Sequence, residues 1–327
     1  MPTVAVLALS LLALVPAPVC LAAQAADSAL PSLATRLAAM TAVTGYEQRM
    51  VDSLVTLLPG AARDRAGNAV VVLGAGARRR LVACPVSEPG FVVGAVREDG
   101  WLTLRRAAGR VGLGFERQLE GQRVTLFGRR GPVPGVVAVR SIHLTRGRST
   151  PAESPFTVDS AYVDIGAAAR ADVSAAGVEL LTPLALAKRP QRYGRGLLAA
   201  PMAARRTACA ALVLAARRAI AEQGMVPRGE SLVIAFVVEQ ELLGRGLATV
   251  ANTRGPFAET LLVDGGTGVP GLVTRAADTL ARRWPALGAV SRWSLGGRYL
   301  GTPVETTSFA GADSLQAALG RWIGGGE

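Results

Sequence analysis

Histidine and lysine are almost absent from this sequence of 327 residues. The chain has one histidine, His143, and only one of its 36 basic residues, Lys188, is a lysine. A single histidine leaves one candidate for the base of a Ser–His–Asp or Cys–His catalytic set. A strong preference for arginine over lysine in a chain rich in alanine and glycine is typical of a protein encoded by a G+C-rich genome.

Aromatic residues are also scarce, and this bears on how the charge is interpreted. The net charge is +12, which alone would favour a nucleic-acid partner, but aromatic residues make up only 5 % of the chain. The arginines are scattered, and Arg78–Arg80 is the one run of three. Few rings are therefore available to stack on bases between the arginines. The composition argues against nucleic-acid binding.

The first 26 residues carry no charged side chain, and Asp27 is the first. Val4–Val15 forms an apolar core of the length found in signal peptides, and Pro16 ends it. Ala23–Ala25 offers a cleavage site with small residues. We expect residues 1–25 to be a signal peptide and the mature chain to be periplasmic or extracellular. A short membrane anchor is the alternative; after cleavage, no apolar run is long enough to span a bilayer.

Only three cysteines are present, and Cys20 lies within the predicted leader. Cleavage would leave Cys84 and Cys209. In an oxidising compartment these two could form a disulfide, and two buried free thiols are the alternative. The sequence leaves both open.

Helical and strand patterns alternate on both sides of a β-rich middle segment. From Phe91 to about Val158, short strands alternate with turns rich in glycine, aspartate and proline. The pattern predicts an α/β domain formed by residues 26–90 and 160–327, with a small β-domain inserted at 91–159. Thr44 and Glu47 have the spacing of a helix capping box, and residues 272–284 are predicted to be helical.

The stretch AFVVEQELLGRG, Ala235–Gly246, has the pattern of a buried strand that ends in polar residues. Glu239, Gln240 and Glu241 follow the apolar run directly. Acids at the end of a buried strand are typical of the rim of an active site, but the central position here is an amide.

Five motifs, in order along the chain, resemble those of metallopeptidase family forty-two, the glutamyl and deblocking aminopeptidases that form tetrahedral particles. The resemblance runs from about Thr44 to the C-terminus. The motifs are TGYE at Thr44–Glu47, DRAGN at Asp64–Asn68, VDIGA at Val163–Ala167, VEQELLGRG at Val238–Gly246 and RYLGTPVE at Arg298–Glu305. It implies a three-layer α/β metallopeptidase domain, hydrolase-like, that carries an inserted β-barrel-like domain.

The chemistry of this family requires two divalent metal ions and a glutamate that deprotonates the bridging water. By resemblance, the metal-ligand positions fall on Pro85, Ala203 and Gly301, none of which has a ligating side chain, and the base falls on Gln240. Glu241 and Asp264 remain as vestigial ligands. In a neighbouring position, Ser87 replaces the aspartate that would orient the first histidine.

The leader pattern predicts export, and the resemblance implies an aminopeptidase homologue without catalytic activity, a pseudo-peptidase with a binding or assembly role and no cofactor. A peptide or protein partner, a homo-oligomer or assembly with an active paralogue is expected. We expect Glu241 and Asp264 to converge on one pocket that Pro85, Ala203, Gln240 and Gly301 also line. One of the two acids should bind Arg205 or Arg245, or else be protonated with a raised pKa. The pocket-lining residues should be Glu88, Arg205, Glu239 and Arg245.

Two alternatives stay open at this point. In one, the chain is a metal-dependent hydrolase with a rearranged site, in which Glu241, Asp264 and either Cys84 or Glu88 hold zinc or cobalt. In the other, the chain is an unrelated scaffold with chance similarity to the motifs.

Overall fold

The computed structural model describes residues 29–108, 113–139, 156–222 and 224–326. The predicted signal peptide, with Cys20, and His143 lie outside the described residues. Within the described parts of the chain, no helix has the length and apolar character needed to cross a bilayer.

The described residues form seven α-helices, which are α1 Ala29–Ala39, α2 Gln48–Leu57, α3 Leu113–Arg117, α4 Arg170–Ala175, α5 Ala203–Ala221, α6 Arg245–Arg254 and α7 Phe309–Ile323. The strands are β1 Ala62–Arg63, β2 Ala69–Gly74, β3 Arg78–Pro85, β4 Phe91–Val96, β5 Leu102–Arg106, β6 Arg123–Gly128, β7 Gly131–Val137, β8 Tyr162–Asp164, β9 Pro183–Leu186, β10 Gln191–Tyr193, β11 Leu197–Ala199, β12 Glu230–Val237, β13 Glu259–Thr267, β14 Val273–Ala277, β15 Ala289–Gly297 and β16 Thr306–Ser308. Short 3-10 turns occur at Val158–Ser160, Thr279–Arg282 and Pro285–Leu287.

A seven-stranded sheet in the order β1-β2-β12-β3-β13-β15-β14 forms the centre of the α/β domain. β12, β3, β13 and β15 run parallel, and β2 and β14 pair antiparallel with their neighbours. Leu232–Val237 of β12 and Leu261–Val263 of β13 are continuous buried apolar runs, because helices cover both faces of the sheet there. A separate three-stranded sheet, β10-β11-β16, packs beside it.

Alternate residues of the strands pack into two different apolar cores, one on each face of the sheet, and the domain therefore has three layers. Val82 and Cys84 of β3 pack with α1, α2, α5 and α7 on one face. Leu81 and Ala83 pack with α6 on the other. α5 lies at the centre of the larger core, where its many alanines allow a close approach to the sheet and to α1 and α7. The predicted α/β fold class is confirmed.

The inserted domain is a closed barrel of six strands in the order β4-β5-β8-β7-β6-β9, with its own apolar core. It runs from Phe91 to Leu186, so the predicted end of the insertion at residue 159 is wrong. β8 lies in the VDIGA motif, which the sequence assigned to the α/β domain. It pairs with β5 and β7, and without it both would present open edges.

Two local predictions are also wrong. Residues 272–284 form edge strand β14 and a 3-10 turn instead of a helix, because pairing with β15 extends the sheet. The TGYE motif is not a capping box, since α2 starts at Gln48 without a side-chain cap. Thr44 instead donates through Oγ1 to the carbonyl of Glu88, and the Glu47 carboxylate accepts the amide of Glu239.

Candidate functional site

The candidate site lies where the parallel strands of the central sheet end. β3 ends at Pro85, directly beside Val237 of β12. The polar residues Glu239 to Glu241 begin two positions beyond Val237, and Asp264 is the last residue of the buried part of β13. Carboxyl ends of parallel strands meet at one edge of a sheet, which is where α/β enzymes bind their ligands. The first turn of α5 lies against the same edge.

The Arg205 guanidinium lies between the two acids that the sequence analysis identified as vestigial ligands. Its Nε donates to Asp264 Oδ1 at 2.8 Å, and its Nη1 donates to Glu241 Oε1 at 3.3 Å. Nη1 also donates to the carbonyl of Ser87 at 2.8 Å. Glu241 and Asp264 therefore converge as expected, and a fixed cation bridges them.

Charge balance explains why this arrangement is stable. Burial opposes the charge on Arg205, but the carboxylates of Asp264 and Glu241 outweigh that effect and raise its pKa. A second arginine, Arg292, contacts Asp264 Oδ2 at 3.4 Å and Asp278 at 2.8 Å. Asp264, whose side chain is 8 % exposed, thus has two cationic partners. Such charge-assisted pairs satisfy a buried carboxylate.

The turn that carries Gln240 is held by a residue whose role the sequence analysis missed. Glu47 Oε1 accepts both the backbone amide of Glu239 and the hydroxyl of Ser87, each at 2.8 Å. Ser87 Oγ in turn accepts the amide of Gln240 at 3.0 Å. Burial raises the pKa of Glu47. Glu239 has a φ of 54° and forms an ion pair with Arg245 at 3.2 Å.

The other positions that the family resemblance assigns to metal ligands and to the base differ in how deeply they are buried. Pro85 and Ala203 are buried, whereas Gln240 and Gly301 are partly exposed. The first two therefore do not line an open pocket. Glu305 connects two of these segments, since its carboxylate accepts the amides of Ala204 and Gly301. It ends the RYLGTPVE motif, which is the signal that could have revealed it.

Glu88, expected to line the pocket, instead belongs to a buried cluster of three charges. Its Oε2 accepts from Lys188 Nζ at 2.5 Å and from Arg206 Nη2 at 2.9 Å, and Oε1 accepts the amide of Ala42. Burial raises the pKa of Glu88, but the two cations outweigh it and leave the pKa below its usual range. Burial lowers the pKa of Lys188. The chain's one lysine is thus a structural counter-ion.

Cys84 forms a disulfide with Cys209 and thereby ties the end of β3 to α5. Of the two alternatives that the sequence left open, the structure has the bonded pair. A disulfide sulfur is not a thiolate, so Cys84 in this state is not available as a metal ligand.

The residues present do not fit the pair of metal ions that the fold family uses. Two of the four donors considered for a rearranged site, Cys84 and Glu88, are engaged elsewhere, and Glu241 and Asp264 hold Arg205. Across the described ranges, no group of three or more His, Cys, Asp or Glu side chains is arranged to hold a metal ion. Zinc and cobalt both need such a donor set.

A three-layer α/β domain with a barrel inserted after β3, and two acids bridged by Arg205 at the edge of its sheet, are the features to compare with known proteins. Residues 67–269 match the M42 glutamyl aminopeptidase family. This match covers more than half of the chain, and the protein belongs to that family.

Curated relatives match this chain in sequence over about half of its length. SgcX of Escherichia coli (strain K12), named as an aminopeptidase, is 30 % identical over 179 residues, which are 53 % of this chain and 46 % of SgcX. The chain spans less than half the length of the curated relatives it matches.

Solved structures match over nearly the whole chain. An aminopeptidase of the archaeon Desulfurococcus kamchatkensis gives a TM-score of 0.75 at 16 % identity and covers 90 % of this chain and 94 % of its own. The TET1 peptidase of Pyrococcus horikoshii, described as assembling into a tetrahedron or a large octahedral shell, gives 0.75 at 17 % identity, with 89 % and 98 % covered. At these identities the likeness establishes the fold.

Proposed function

We propose that this protein is an exported pseudo-peptidase, an aminopeptidase homologue without peptidase chemistry that acts by binding a peptide or protein partner. The single observation that carries the proposal is the position of Arg205. Its guanidinium contacts both acids that remain from the metal site. A metal ion would have to displace a buried cation from its two carboxylates.

The missing base supports the same conclusion. Gln240 occupies the position where the family has a glutamate, and an amide does not accept a proton near neutral pH. Its backbone amide is bonded to Ser87 Oγ, which fixes the turn without giving the side chain a partner in proton transfer. A water molecule held here would be neither polarised by a metal ion nor deprotonated.

A binding role is supported by apolar side chains that are exposed around the same edge of the sheet. Leu243, Val269, Tyr299 and Val304 are 72 %, 66 %, 58 % and 57 % exposed, and they lie on the loops that follow β12, β13 and β15. Grouped apolar side chains on a protein surface commonly mark an interaction site. A peptide or an apolar segment of a protein is the partner that fits them.

Export is supported by the leader pattern and by the buried disulfide, because structural disulfides are typical of oxidising compartments. Assembly is supported by analogy alone, since TET1 peptidase forms closed shells and the chains share a fold. We propose a homo-oligomer or a mixed particle with an active paralogue.

The experiment compares the mature wild type with Gln240→Glu and with a variant that combines Pro85→His, Ala203→Asp, Gln240→Glu and Gly301→His. Hydrolysis of leucine and glutamate p-nitroanilides is measured with added zinc or cobalt. We expect no turnover by the wild type or by Gln240→Glu, because a base without a metal-bound water has no nucleophile to activate.

The combined variant shows whether the site can be restored once the ligands return, and a circular dichroism spectrum checks that it folds. Metal-dependent turnover by the wild type or by Gln240→Glu alone would overturn the proposal. The matched control is Gln316→Glu on α7, which adds the same charge away from the site.

A further inference from the structure

A cleft of about 320 Å³ lies between the start of α2 and one end of the barrel, and its lining does not include Arg205, Glu241 or Asp264. Tyr46 and Arg49 line it from the α/β domain, and Phe127 and Pro183 line it from strands β6 and β9. Ligand sites are often clefts between domains, lined by rings and a few polar groups. We propose that this cleft binds an aromatic carboxylate.

The walls of the cleft favour a flat apolar group. The phenol of Tyr46 and the phenyl ring of Phe127 approach it from opposite domains, and Val43 and Pro183 complete the apolar lining. Tyr46 Oη donates to the carbonyl of Leu181 at 3.3 Å, which fixes the ring against the barrel. A ring in a preformed slot loses little rotational freedom when a ligand binds.

Arg49 gives the cleft its charge preference. Its guanidinium lies 5.8 Å from the centre of the Phe127 ring. Within the described parts of the chain, it has no carboxylate partner, whereas Arg78, Arg129 and Arg170 are each paired with a glutamate. At this distance from the ring, the N–H edge of the guanidinium remains able to bind a carboxylate. An unpaired cation beside two rings therefore selects a ligand that is both aromatic and anionic.

Two sources could supply this chemistry, a free aromatic acid or the C-terminal residue of a peptide chain, and both present a ring and a carboxylate. The cleft is small and Arg49 is exposed to solvent, so we expect a weak complex with a Kd on the order of 1 mM for a single residue. Binding in this cleft does not depend on the proposed loss of peptidase activity, because the lining residues are not among the partners of Arg205.

The test is an NMR titration of the mature protein with N-acetyl-L-phenylalanine, its amide and N-acetyl-L-leucine. The wild type should bind the aromatic acid at least about fivefold more tightly than either of the other two. Arg49→Gln should abolish the preference for acid over amide, and Phe127→Leu should abolish the preference for the ring. Arg36→Gln, an exposed arginine on α1, is the matched control and should change neither.

A peptide that ends in phenylalanine and its C-terminally amidated form distinguish the two sources. Tighter binding of the free-acid peptide than of N-acetyl-L-phenylalanine identifies a chain terminus, and equal or weaker binding identifies a free acid. Absence of binding by the wild type at about 10 mM ligand, or equal affinity for acid and amide in the wild type, would overturn the proposal. Thermal unfolding of each variant confirms that the folds are comparable.

Discussion

Two adjacent arginines at the start of α5 point into environments of different character. Arg205 reaches the edge of the sheet, where its side chain is 14 % exposed and bridges Asp264 and Glu241. Arg206 is 1 % exposed and pairs with Glu88 beneath that edge. The ion pairs of Arg205 lie near solvent at the edge of the sheet, whereas the ion pair of Arg206 lies in the interior. One helix thus carries a partly accessible ion cluster and a buried one side by side.

The two clusters differ in how strongly the folded structure depends on them. The side chains of Glu88, Lys188 and Arg206 are at most 6 % exposed, and their cluster joins the segment after β3, the segment after the barrel and α5. Removal of one member would leave charges unpaired in the interior. The Arg205 centre is closer to water, so its charges can be rearranged at lower cost.

The largest effect is expected from Glu88→Ala, which leaves Lys188 and Arg206 buried without their counter-ion. Breaking a buried ion pair on one side costs about 3–5 kcal/mol. Urea unfolding followed by circular dichroism measures the loss. The control is Glu222→Ala, which breaks the exposed pair with Arg218 and should cost less than about 1 kcal/mol. Equal losses in the two variants would remove the distinction between interior and surface pairs.

The Glu88 carboxylate should also make the free energy of unfolding depend on pH in the acid range. Because the pKa of Glu88 is below its ordinary value of 4.5 in the folded protein, its contribution is present above about pH 4.5 and is lost as the pH falls through the lower, folded value. The unfolding free energy measured from pH 6 downward should therefore decline in the wild type more steeply than in Glu88→Gln. Parallel curves would contradict the assignment.

A smaller loss is expected when the disulfide that anchors α5 to β3 is removed. Replacing Cys84 and Cys209 together by alanine releases a cross-link between residues 125 positions apart. Disulfides typically contribute about 2–4 kcal/mol. Thermal unfolding with and without reductant measures this. The double variant should be insensitive to reductant, whereas the wild type should lose stability in it; a wild type unaffected by full reduction would argue against the disulfide.

The smallest effect concerns Glu305, whose pKa is raised by burial and by nearby Asp264. A carboxyl group with a raised folded pKa stabilises the protein at low pH, and this contribution is lost as the pH rises from 4.5 through the folded value. This is the reverse of Glu88. In Glu305→Gln, the free energy of unfolding should therefore change less with pH just above pH 4.5 than it does in the wild type. Unfolding experiments at several pH values measure this. A steeper fall in the variant would show the sign to be wrong.

Much of this site could be predicted because motifs mark the ends of strands. The order of five motifs indicated the α/β domain and the convergence of Glu241, Asp264 and Arg205. Hydrogen bonds across the fold could not be predicted in the same way. Glu47 and Ser87 hold the Gln240 turn through hydrogen bonds between segments about 40 to 190 residues apart. Local sequence patterns do not predict hydrogen bonds over such distances along the chain.

The errors have related physical causes. Residues 272–284 are rich in alanine and arginine, which favour a helix locally, yet β15 offers an open edge and β14 pairs with it. The end of the barrel was placed too early because β8 and β9 are short. Their role appears only when the barrel closes. Whether the two cysteines pair depends on the distance between β3 and α5, which no local pattern contains.

Metal binding by the purified wild type, compared with Arg205→Ala and Glu241→Ala, tests the central claim most directly. Protein prepared without chelator is dialysed against zinc or cobalt, and the bound metal is measured by elemental analysis. If Arg205 has replaced the metal ions, the wild type holds well under one ion per chain, and only Arg205→Ala gains weak binding through the freed Asp264 and Glu241. Tightly bound, stoichiometric metal in the wild type that Glu241→Ala removes would contradict the account.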